Sequence, residues 1–175
     1  MRRGAILLAL CALPALSACG LQPMYAGGAS SGVAQGLAAV EVPPIPGRDG
    51  WLVRNALRDR LGVANAGQGD ATPRYRLDVR LDDALEALGV LNDDTISRER
   101  RILRSRYQLT DLATGEILLD ATAGSDAGID VVSSEYATIA AEQRALENLA
   151  QDVADRMATR IALVLRERQR AGGAQ

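Results

Sequence analysis

Arg74-Tyr75-Arg76-Leu77-Asp78-Val79-Arg80-Leu81 is the stretch that decides the fold, because its charged and apolar residues alternate one by one. Successive side chains of a β-strand point to opposite faces of a sheet, so this period of two predicts a strand with one buried and one solvated face. The alternation continues less regularly to Leu91, and Asn92-Asp93-Asp94 then supplies turn chemistry. Residues 74–91 are therefore predicted to form a long strand that ends in a turn.

Two further strands are predicted directly after this one. The segment 96–110 alternates again, a turn follows at 111–115, and residues 116–123 form the last strand. Connections this short between long strands require antiparallel pairing. The middle strand is predicted to carry apolar residues on one face and arginines on the other. The apolar set is Leu103, Tyr107 and Leu109, and the arginine set is Arg98, Arg100, Arg104 and Arg106.

A strand and a short helix are predicted before this meander. Residues 37–42 alternate weakly and are followed by prolines, which cannot donate hydrogen bonds to a sheet: Pro43, Pro44 and Pro46. A helix over 50–61 is predicted to begin after an N-cap at Asp49 and to stop at Gly62. Its apolar residues fall on one face, which is typical of a helix that covers a sheet.

A long helix is predicted after the meander, from a cap at Ser133 or Ser134 to about Arg168. Its apolar residues form one stripe: Ile139, Leu146, Ala150, Val153, Met157, Ile161 and Val164. The order β-α-β-β-β-α predicts an α+β fold, a two-layer sandwich in which one antiparallel sheet of about four strands carries both helices on one face. We expect a single domain over 37–170 and a frayed tail over 171–175.

Residues 1–18 have the layout of a cleaved secretory signal: arginines near the start, an apolar stretch over 5–16, and small residues before Cys19. The apolar stretch is shorter than the about 20 residues that span a bilayer. Leu16-Ser17-Ala18-Cys19 resembles the bacterial lipobox, whose cysteine receives a diacylglyceryl group before cleavage on its N-terminal side. Cys19 is thus predicted to be a lipid anchor, and residues 19–36 to be the lipidated N-terminus and a flexible tether.

The lipobox resemblance also implies a location. Gly20 follows the cysteine, whereas an aspartate at that place retains lipoproteins in the inner membrane of enteric bacteria. The resemblance therefore implies the outer membrane, with the chain anchored by its lipid on the periplasmic side. Two or more acyl chains hold a protein stably on a membrane, whereas a single chain holds it only marginally.

The composition of the 175 residues excludes several functions. Histidine is absent, and Cys11 leaves with the signal, so Cys19 is the sole thiol of the mature chain. Nucleophile–base pairs of the Ser-His or Cys-His type and the commonest zinc ligands are therefore missing. The paired acids at 82–83 and 93–94 could serve as carboxylate pairs or calcium ligands, but acids at strand ends and turns are ordinarily solvated. From these absences we expect no enzyme, cofactor or metal. The net charge of −2 gives the chain no general attraction to nucleic acid, so we expect no nucleic-acid partner.

The arginine set of the middle strand is the most distinctive remaining feature. Arg98, Arg100, Arg104 and Arg106 share the solvent-facing parity, and the first strand offers Arg74, Arg76 and Arg80 as candidates to join them. Guanidinium groups bind phosphates bidentately, so this face is a candidate binding site for an anionic glycolipid or an acidic partner surface. The alternative interpretation is a solvated sheet face whose charges are relieved by Asp78, Asp82 and Glu99.

The segment Cys19-Gly20-Leu21-Gln22-Pro23-Met24-Tyr25 resembles the Cys-Gly-aromatic-x-Pro-Leu-Tyr start of alphaproteobacterial LPS-assembly lipoproteins, the LptE family, with Leu21 where phenylalanine is usual. The predicted order of elements is similar to that family over essentially the whole mature chain. The resemblance implies a non-enzymatic outer-membrane lipoprotein that plugs the lumen of the β-barrel LptD in a one-to-one complex. It also implies help in assembling that barrel, and contact with lipopolysaccharide, whose phosphates would suit the arginine set.

Two other functions fit a small exported lipoprotein. One is the auxiliary lipoprotein of a lipid-transporting ABC system, which would associate with an inner-membrane permease. The other is a cell-wall synthase activator, which would associate with a penicillin-binding protein. Activator domains often sit on longer linkers than the Gly/Ala/Ser-rich segment at 26–36 provides.

Overall fold

The computed structural model describes residues 32–62, 72–90 and 96–172. The elements in these residues are, in chain order, α1 Gly32–Ala38, β1 Val40–Glu41, α2 Gly47–Arg60, β2 Tyr75–Val90, β3 Ile96–Asp111, β4 Ile117–Asp130 and α3 Glu135–Gly172. No helix in these described stretches has the length and the apolar character that crossing a bilayer requires.

The four strands form one sheet in the order β1-β2-β3-β4. β2, β3 and β4 are an antiparallel meander, as predicted, with Leu109 of β3 between Leu77 of β2 and Leu119 of β4. β1 instead runs parallel to β2, with Val40 opposite Tyr75. The α+β fold with four strands is thus confirmed, but the sheet is mixed rather than wholly antiparallel. Helix α2 lies between β1 and β2 and returns the chain to its starting end, which permits parallel pairing.

The core lies between one face of the sheet and the helices. Odd-numbered residues of β2, β3 and β4 point to the helices, and those with at most 2% exposure are Leu77, Leu103, Ser105, Tyr107, Leu109 and Asp111. Helix α3 contributes a continuous buried stripe, which includes Leu149, Val153, Met157, Ile161 and Leu165. Val53 and Leu57 of α2 and Leu37 of α1 belong to the same cluster. Both predicted helices therefore cover one face, and none of the helices in the described residues lies against the opposite face.

Helix α2 begins earlier than predicted. It starts at Gly47, and the residue in the N-cap position is Pro46, which forms no side-chain cap. Asp49 lies in the first turn, so its prediction as the N-cap is wrong. The turn into the helix depends on Gly47, whose φ of 88° is readily adopted only by glycine. Gly62, with a φ of 74°, follows the last turn as the predicted stop signal.

Helix α3 agrees closely with the prediction at its start. The Oγ of Ser134 accepts a hydrogen bond from the backbone N of Ala137 at 3.4 Å, as an N-cap does. The helix continues to Gly172, four residues past Arg168, and so includes the first residues of the predicted frayed tail. Residues 173–175 lie outside the described part.

Two other boundaries differ from the sequence predictions. β4 continues to Asp130 rather than ending at Ala123, because its small and acidic second half pairs with the first half of β3 although it lacks apolar alternation. Helix α1 occupies residues that were predicted to be tether and early strand, which leaves β1 only Val40–Glu41. The predicted signal, Cys19 and most of the predicted tether lie in residues 1–31, outside the described part.

Candidate ligand-binding face

The face of the sheet that points away from the helices is lined by the even-numbered residues of β2, β3 and β4 and is called here the open face. Arginines and acids are equally numerous on it. The arginines are Arg76, Arg80, Arg98, Arg100, Arg104 and Arg106, and the acids are Asp78, Asp82, Glu86, Asp120, Asp126 and Asp130. The four arginines predicted from β3 do share this face, but the face has no excess of positive charge.

Three of the four predicted arginines are held by carboxylates on neighbouring strands. Arg100 lies 2.7 Å from Glu86 on β2, and Arg106 lies 3.1 Å from Asp120 on β4. Arg98 lies 3.4 Å from Asp130 at the far end of the sheet. These cross-strand pairs correspond to the alternative interpretation of the sequence, in which acids relieve the charge of the arginines. Of the acids anticipated for this role, Asp78 pairs with Arg76 at 3.1 Å, whereas the partners of these three arginines are other acids.

The ion pairs also change the acidity of their members. The hydrogen bond to Glu86 raises the pKa of Arg100, and the hydrogen bond to Asp120 raises the pKa of Arg106. In return, hydrogen bonds from Arg106 and then from Gln108 lower the pKa of Asp120. Each shift favours the charged form, so these pairs stay ionised at neutral pH.

Arg104 differs from the other three. Within the described residues, neither Arg104 nor Arg80 lies within ion-pair distance of a carboxylate, although Asp82 stands opposite Arg104 in the strand register. Arg80 is opposite Arg106, and Arg104 is two residues from Arg106 on the same strand, so three guanidinium groups converge. Arg80 and Arg104 can therefore donate hydrogen bonds to a ligand, whereas Arg106 is paired with Asp120.

A shallow groove runs across the open face at this place. It has a volume of about 460 Å³ and is called here the arginine groove; its open-face lining residues are Arg80, Asp82, Arg104, Arg106, Thr122 and Gly124. Gly124 keeps the floor low, because a Cβ there would lie 3.3 Å from the backbone O of Leu103 and 3.4 Å from Cγ of Arg104. Five guanidinium N–H donors per arginine above a low floor suit a bidentate anion such as a phosphate monoester.

A second cavity, of about 540 Å³, adjoins this groove on the β2 side. Arg80 and Arg106 line both, and the outer wall of the second cavity is formed by Pro43 and Pro44. The two cavities together make one trough from the proline segment across β2 and β3 to β4.

Arg101 belongs to the other face of the sheet, as its odd position predicts. It lies 2.5 Å from Asp83 and donates to the backbone O of Glu142 on α3 at 3.2 Å. The hydrogen bond to Asp83 raises the pKa of Arg101. This arginine therefore joins the sheet to α3 and is not part of the candidate site.

Sequence reasoning named Arg80 only as a candidate to join the β3 arginines, and it did not identify Thr122 or Gly124. The register of β4 against β3 brings these residues together, and no local motif reports that register. Groups of three or more residues that could hold a metal ion are absent from the described residues. Of the acid pairs considered as calcium ligands, Asp82 and Asp83 are neighbours on β2 and so lie on opposite faces of the sheet, and residues 93–94 lie outside the described part.

Solved structures with a similar fold show the class of protein to which this fold belongs. A lipoprotein of Caulobacter crescentus CB15 is 26% identical, with a TM-score of 0.64, and the match covers 79% of this chain and 98% of that one. Rare lipoprotein B of Shewanella oneidensis is 12% identical with a TM-score of 0.59, covering 74% of this chain and 96% of that one. A minor lipoprotein of Acinetobacter baumannii is 18% identical with a TM-score of 0.52, covering 71% and 88%. The fold is thus that of small bacterial lipoproteins.

The family follows from a match over most of the domain. The model of the family described as LptE, lipopolysaccharide-assembly, matches residues 37–161, which run from the end of α1 into the second half of α3. The chain belongs to the LptE family. No curated protein is significantly similar to it in sequence. The family resemblance seen in the first residues of the predicted mature chain is therefore confirmed by a different part of the molecule.

Proposed function

We propose that this protein is the lipid-anchored LptE component of lipopolysaccharide assembly in an outer membrane, attached through Cys19 on the periplasmic side. Its folded domain would occupy the lumen of the β-barrel LptD as a one-to-one plug and help that barrel to assemble. The observation that carries the proposal is the family match over residues 37–161. Cleavage before a lipobox cysteine supplies the anchor, and the role requires no catalytic group.

We further propose that the arginine groove binds the phosphates of lipopolysaccharide. Arg104 and Arg80 support this assignment best, because among the described residues their guanidinium groups lack the carboxylate partners that Arg98, Arg100 and Arg106 have. A phosphate competes only with water for an unpaired guanidinium, whereas it must displace a carboxylate from a paired one. Arg98, Arg100 and Arg106 are accordingly assigned a smaller share of the binding than Arg104.

Affinity purification from native outer membrane tests the partner. The full-length, lipidated protein is tagged at its C-terminus, extracted in mild detergent and purified with its stoichiometric partner, which is identified by mass spectrometry. A large β-barrel in equal amount is the expected result. An inner-membrane permease would instead favour the auxiliary lipoprotein of an ABC system, and a penicillin-binding protein would favour a cell-wall synthase activator; either result would contradict the proposal.

Substitution of the unpaired arginines tests the ligand. The double variant Arg80→Gln/Arg104→Gln should bind purified lipopolysaccharide about tenfold less tightly, because two charge-assisted contacts to phosphate are lost at an exposed site. The matched control is Arg144→Gln/Arg170→Gln, which removes two exposed arginines from α3. Lipopolysaccharide stripped of its lipid A phosphates should bind the native protein and the double variant equally. Undiminished binding by the double variant would rule out the arginine groove.

The anchor is tested separately. Intact-mass measurement of the natural protein should show residues 1–18 removed and an acylated N-terminal cysteine. Exported behind a signal peptide that is cleaved without acylation, the Cys19→Ala variant should be found in the soluble periplasmic fraction, since the acyl chains supply the membrane affinity. A membrane-bound Cys19→Ala variant would show that another feature holds the protein at the membrane.

A further inference from the structure

The sheet has two outer edges, and the one on β2 is left open for most of its length. β1 pairs only with Tyr75 and Arg76, so among the described residues no strand pairs with the outer side of β2 beyond them. The prolines after β1 explain why the pairing stops: Pro43 and Pro44 have no backbone N–H to continue the ladder. The second cavity described above lies where this strand would have continued.

The geometry shows which backbone groups face this edge. The backbone O of Arg74 accepts from Leu112 N, just past the end of β3, at 2.9 Å, whereas Tyr75 N donates to Ala39 O at 3.2 Å. Even-numbered residues of β2 therefore direct their N–H and C=O groups toward β3, and odd-numbered ones toward β1. Neighbouring residues of a strand alternate in this respect. Val79, Leu81, Asp83 and Leu85 therefore present unpaired backbone donors and acceptors outward, before the irregular pairing that starts at Ala87.

The other edge, on β4, is in contact with side chains of α3. Arg156 of α3 donates to the backbone O of Gly124, and Ser125 donates to Asp152 of α3 at 3.1 Å. A side chain that occupies an edge carbonyl prevents a foreign strand from pairing there, which is a common protection of edge strands. Among the described residues no comparable contact protects β2 between Leu81 and Leu85.

The surroundings of the β2 edge are suited to a strand with two different faces. On the helix side, Leu85 is 47% exposed and Trp51 is 62% exposed. Arg54 of α2 donates to the backbone O of Val42 at 3.0 Å, which places this helix beside the end of β1. On the open face, the guanidinium of Arg80 is unpaired among the described residues.

We propose that the outer edge of β2, from Val79 to Leu85, is a strand-addition site for an extended segment of a partner protein. The segment would carry apolar side chains at alternate positions toward Leu85, and an acidic side chain opposite Arg80. Backbone hydrogen bonds supply affinity in this mode of recognition, and alternate side chains supply specificity. The proposal goes beyond the proposed function, because it holds whether or not the arginine groove binds lipopolysaccharide.

Amide hydrogen exchange with a designed peptide tests the site. The probe is an eight-residue peptide that alternates valine with threonine, carries one glutamate near one end, and is N-methylated along its outer edge so that it cannot stack on itself. Added to the full mature protein, it should slow exchange at the amides of Leu81, Asp83 and Leu85, which are open to solvent in the free protein. The amides of Thr122 and Gly124 on β4 should exchange at unchanged rates.

Two variants separate the backbone from the side-chain contribution. Leu85→Pro removes an outward N–H without touching the β2–β3 ladder, so it should weaken peptide binding about tenfold relative to Leu85→Ala, which removes only the side chain. Arg80→Glu should weaken binding of the glutamate peptide about fivefold, with Arg144→Glu as the unaffected control. Unfolding curves that match the native protein establish that each variant is folded.

Three results would overturn the proposal. Protection of β4 amides would place the addition site on the other edge, and no protection anywhere would show that neither edge accepts a strand. Protection of the β2 amides before any peptide is added, together with a dimer in sedimentation, would assign the edge to a second copy of this chain.

Discussion

The two faces of the sheet are formed by the same three strands, but one face is buried under helices and the other carries exposed charges. On the covered face, Leu77, Leu103 and Leu109 have no measurable exposure and pack under α2 and α3. On the open face, the residues next to them in sequence include the charged Arg76, Asp78 and Arg104, which stand opposite residues of the neighbouring strands. Burial of apolar area stabilises the fold in rough proportion to that area, whereas exposed ion pairs contribute little. Stability is therefore expected to come from one face and recognition from the other.

The covered face also holds charged side chains, but these are bound to other parts of the fold, unlike some arginines of the open face. Asp111 is only 2% exposed; its Oδ1 accepts from the backbone N of Ala113 at 3.0 Å, and its Oδ2 lies 3.5 Å from Arg168. Each of these contacts ties the end of β3 to a neighbouring element. A charge on the covered face is thus committed to holding the fold, whereas Arg104 on the open face remains available.

The largest effect should come from truncating the covered face. Leu109→Ala should lower the free energy of unfolding by about 3–5 kcal/mol, because it removes buried area and leaves a cavity. Ile102→Ala, on the open face of the same strand, should cost about 1 kcal/mol or less, since its side chain is only partly buried. Urea unfolding of the two variants measures the difference. Similar losses would show that the open face is covered in solution.

A smaller effect is expected where the covered face holds a buried charge. Arg168→Gln removes the ion pair to Asp111 and the 2.9 Å contact to Glu116, and should lower the free energy of unfolding by about 1–2 kcal/mol. Arg170→Gln, two residues further along α3, is the control and should change it by less than about 0.5 kcal/mol. If the two variants were equally stable, the carboxylate of Asp111 would be satisfied without Arg168.

The ion pair between Arg60 of α2 and Asp155 of α3 should contribute to the free energy of unfolding in a pH-dependent way. The contribution should be only a few tenths of a kcal/mol, because both side chains are about half exposed. The hydrogen bond from Arg60 lowers the pKa of Asp155 below its value in the unfolded chain. A lowered pKa stabilises the folded state above the unfolded value of about 4, and this contribution is lost as the pH falls through the folded value. The difference between native protein and Arg60→Gln should thus be present at pH 7 and decrease progressively as the pH falls below the unfolded value of about 4. A difference that persists in acid would indicate a contribution other than this ion pair.

The smallest effect on stability should come from the arginine groove. Arg104→Gln should change the free energy of unfolding by less than about 0.5 kcal/mol, since Arg104 is exposed and has no ion pair among the described residues. Thermal unfolding and a lipopolysaccharide binding assay on the same sample test whether binding falls while stability stays. A substantial loss of stability would mean that Arg104 serves the fold, and the separation of the two faces would fail.

The alternation in residues 74–81 and 96–110 was sufficient to predict the strands and which residues face the core, because a strand has only two faces and the apolar set must be buried. The second half of β4 could not be predicted in this way. Gly124, Ser125 and Ala127 have no apolar alternation, and they are held in the sheet by their pairing with β3. The start of α2 was missed because Gly47 and Pro46 set it through backbone geometry rather than through a capping side chain.

By itself, the sequence determined the order of the elements from β1 onward, the buried and solvated parities of the long strands, and the family to which the chain belongs. These properties depend on local periodicity and on short motifs, which are readable along the chain. Helix α1 was not among the predicted elements. Only the tertiary structure decided that β1 pairs in parallel, that Arg98, Arg100 and Arg106 have carboxylate partners across the strands, and that Arg80 and Arg104 do not. These ion pairs and strand pairings depend on which residues of two distant segments stand opposite each other. Several registers keep the apolar residues on the covered face, so the alternation of apolar and charged residues does not distinguish between them.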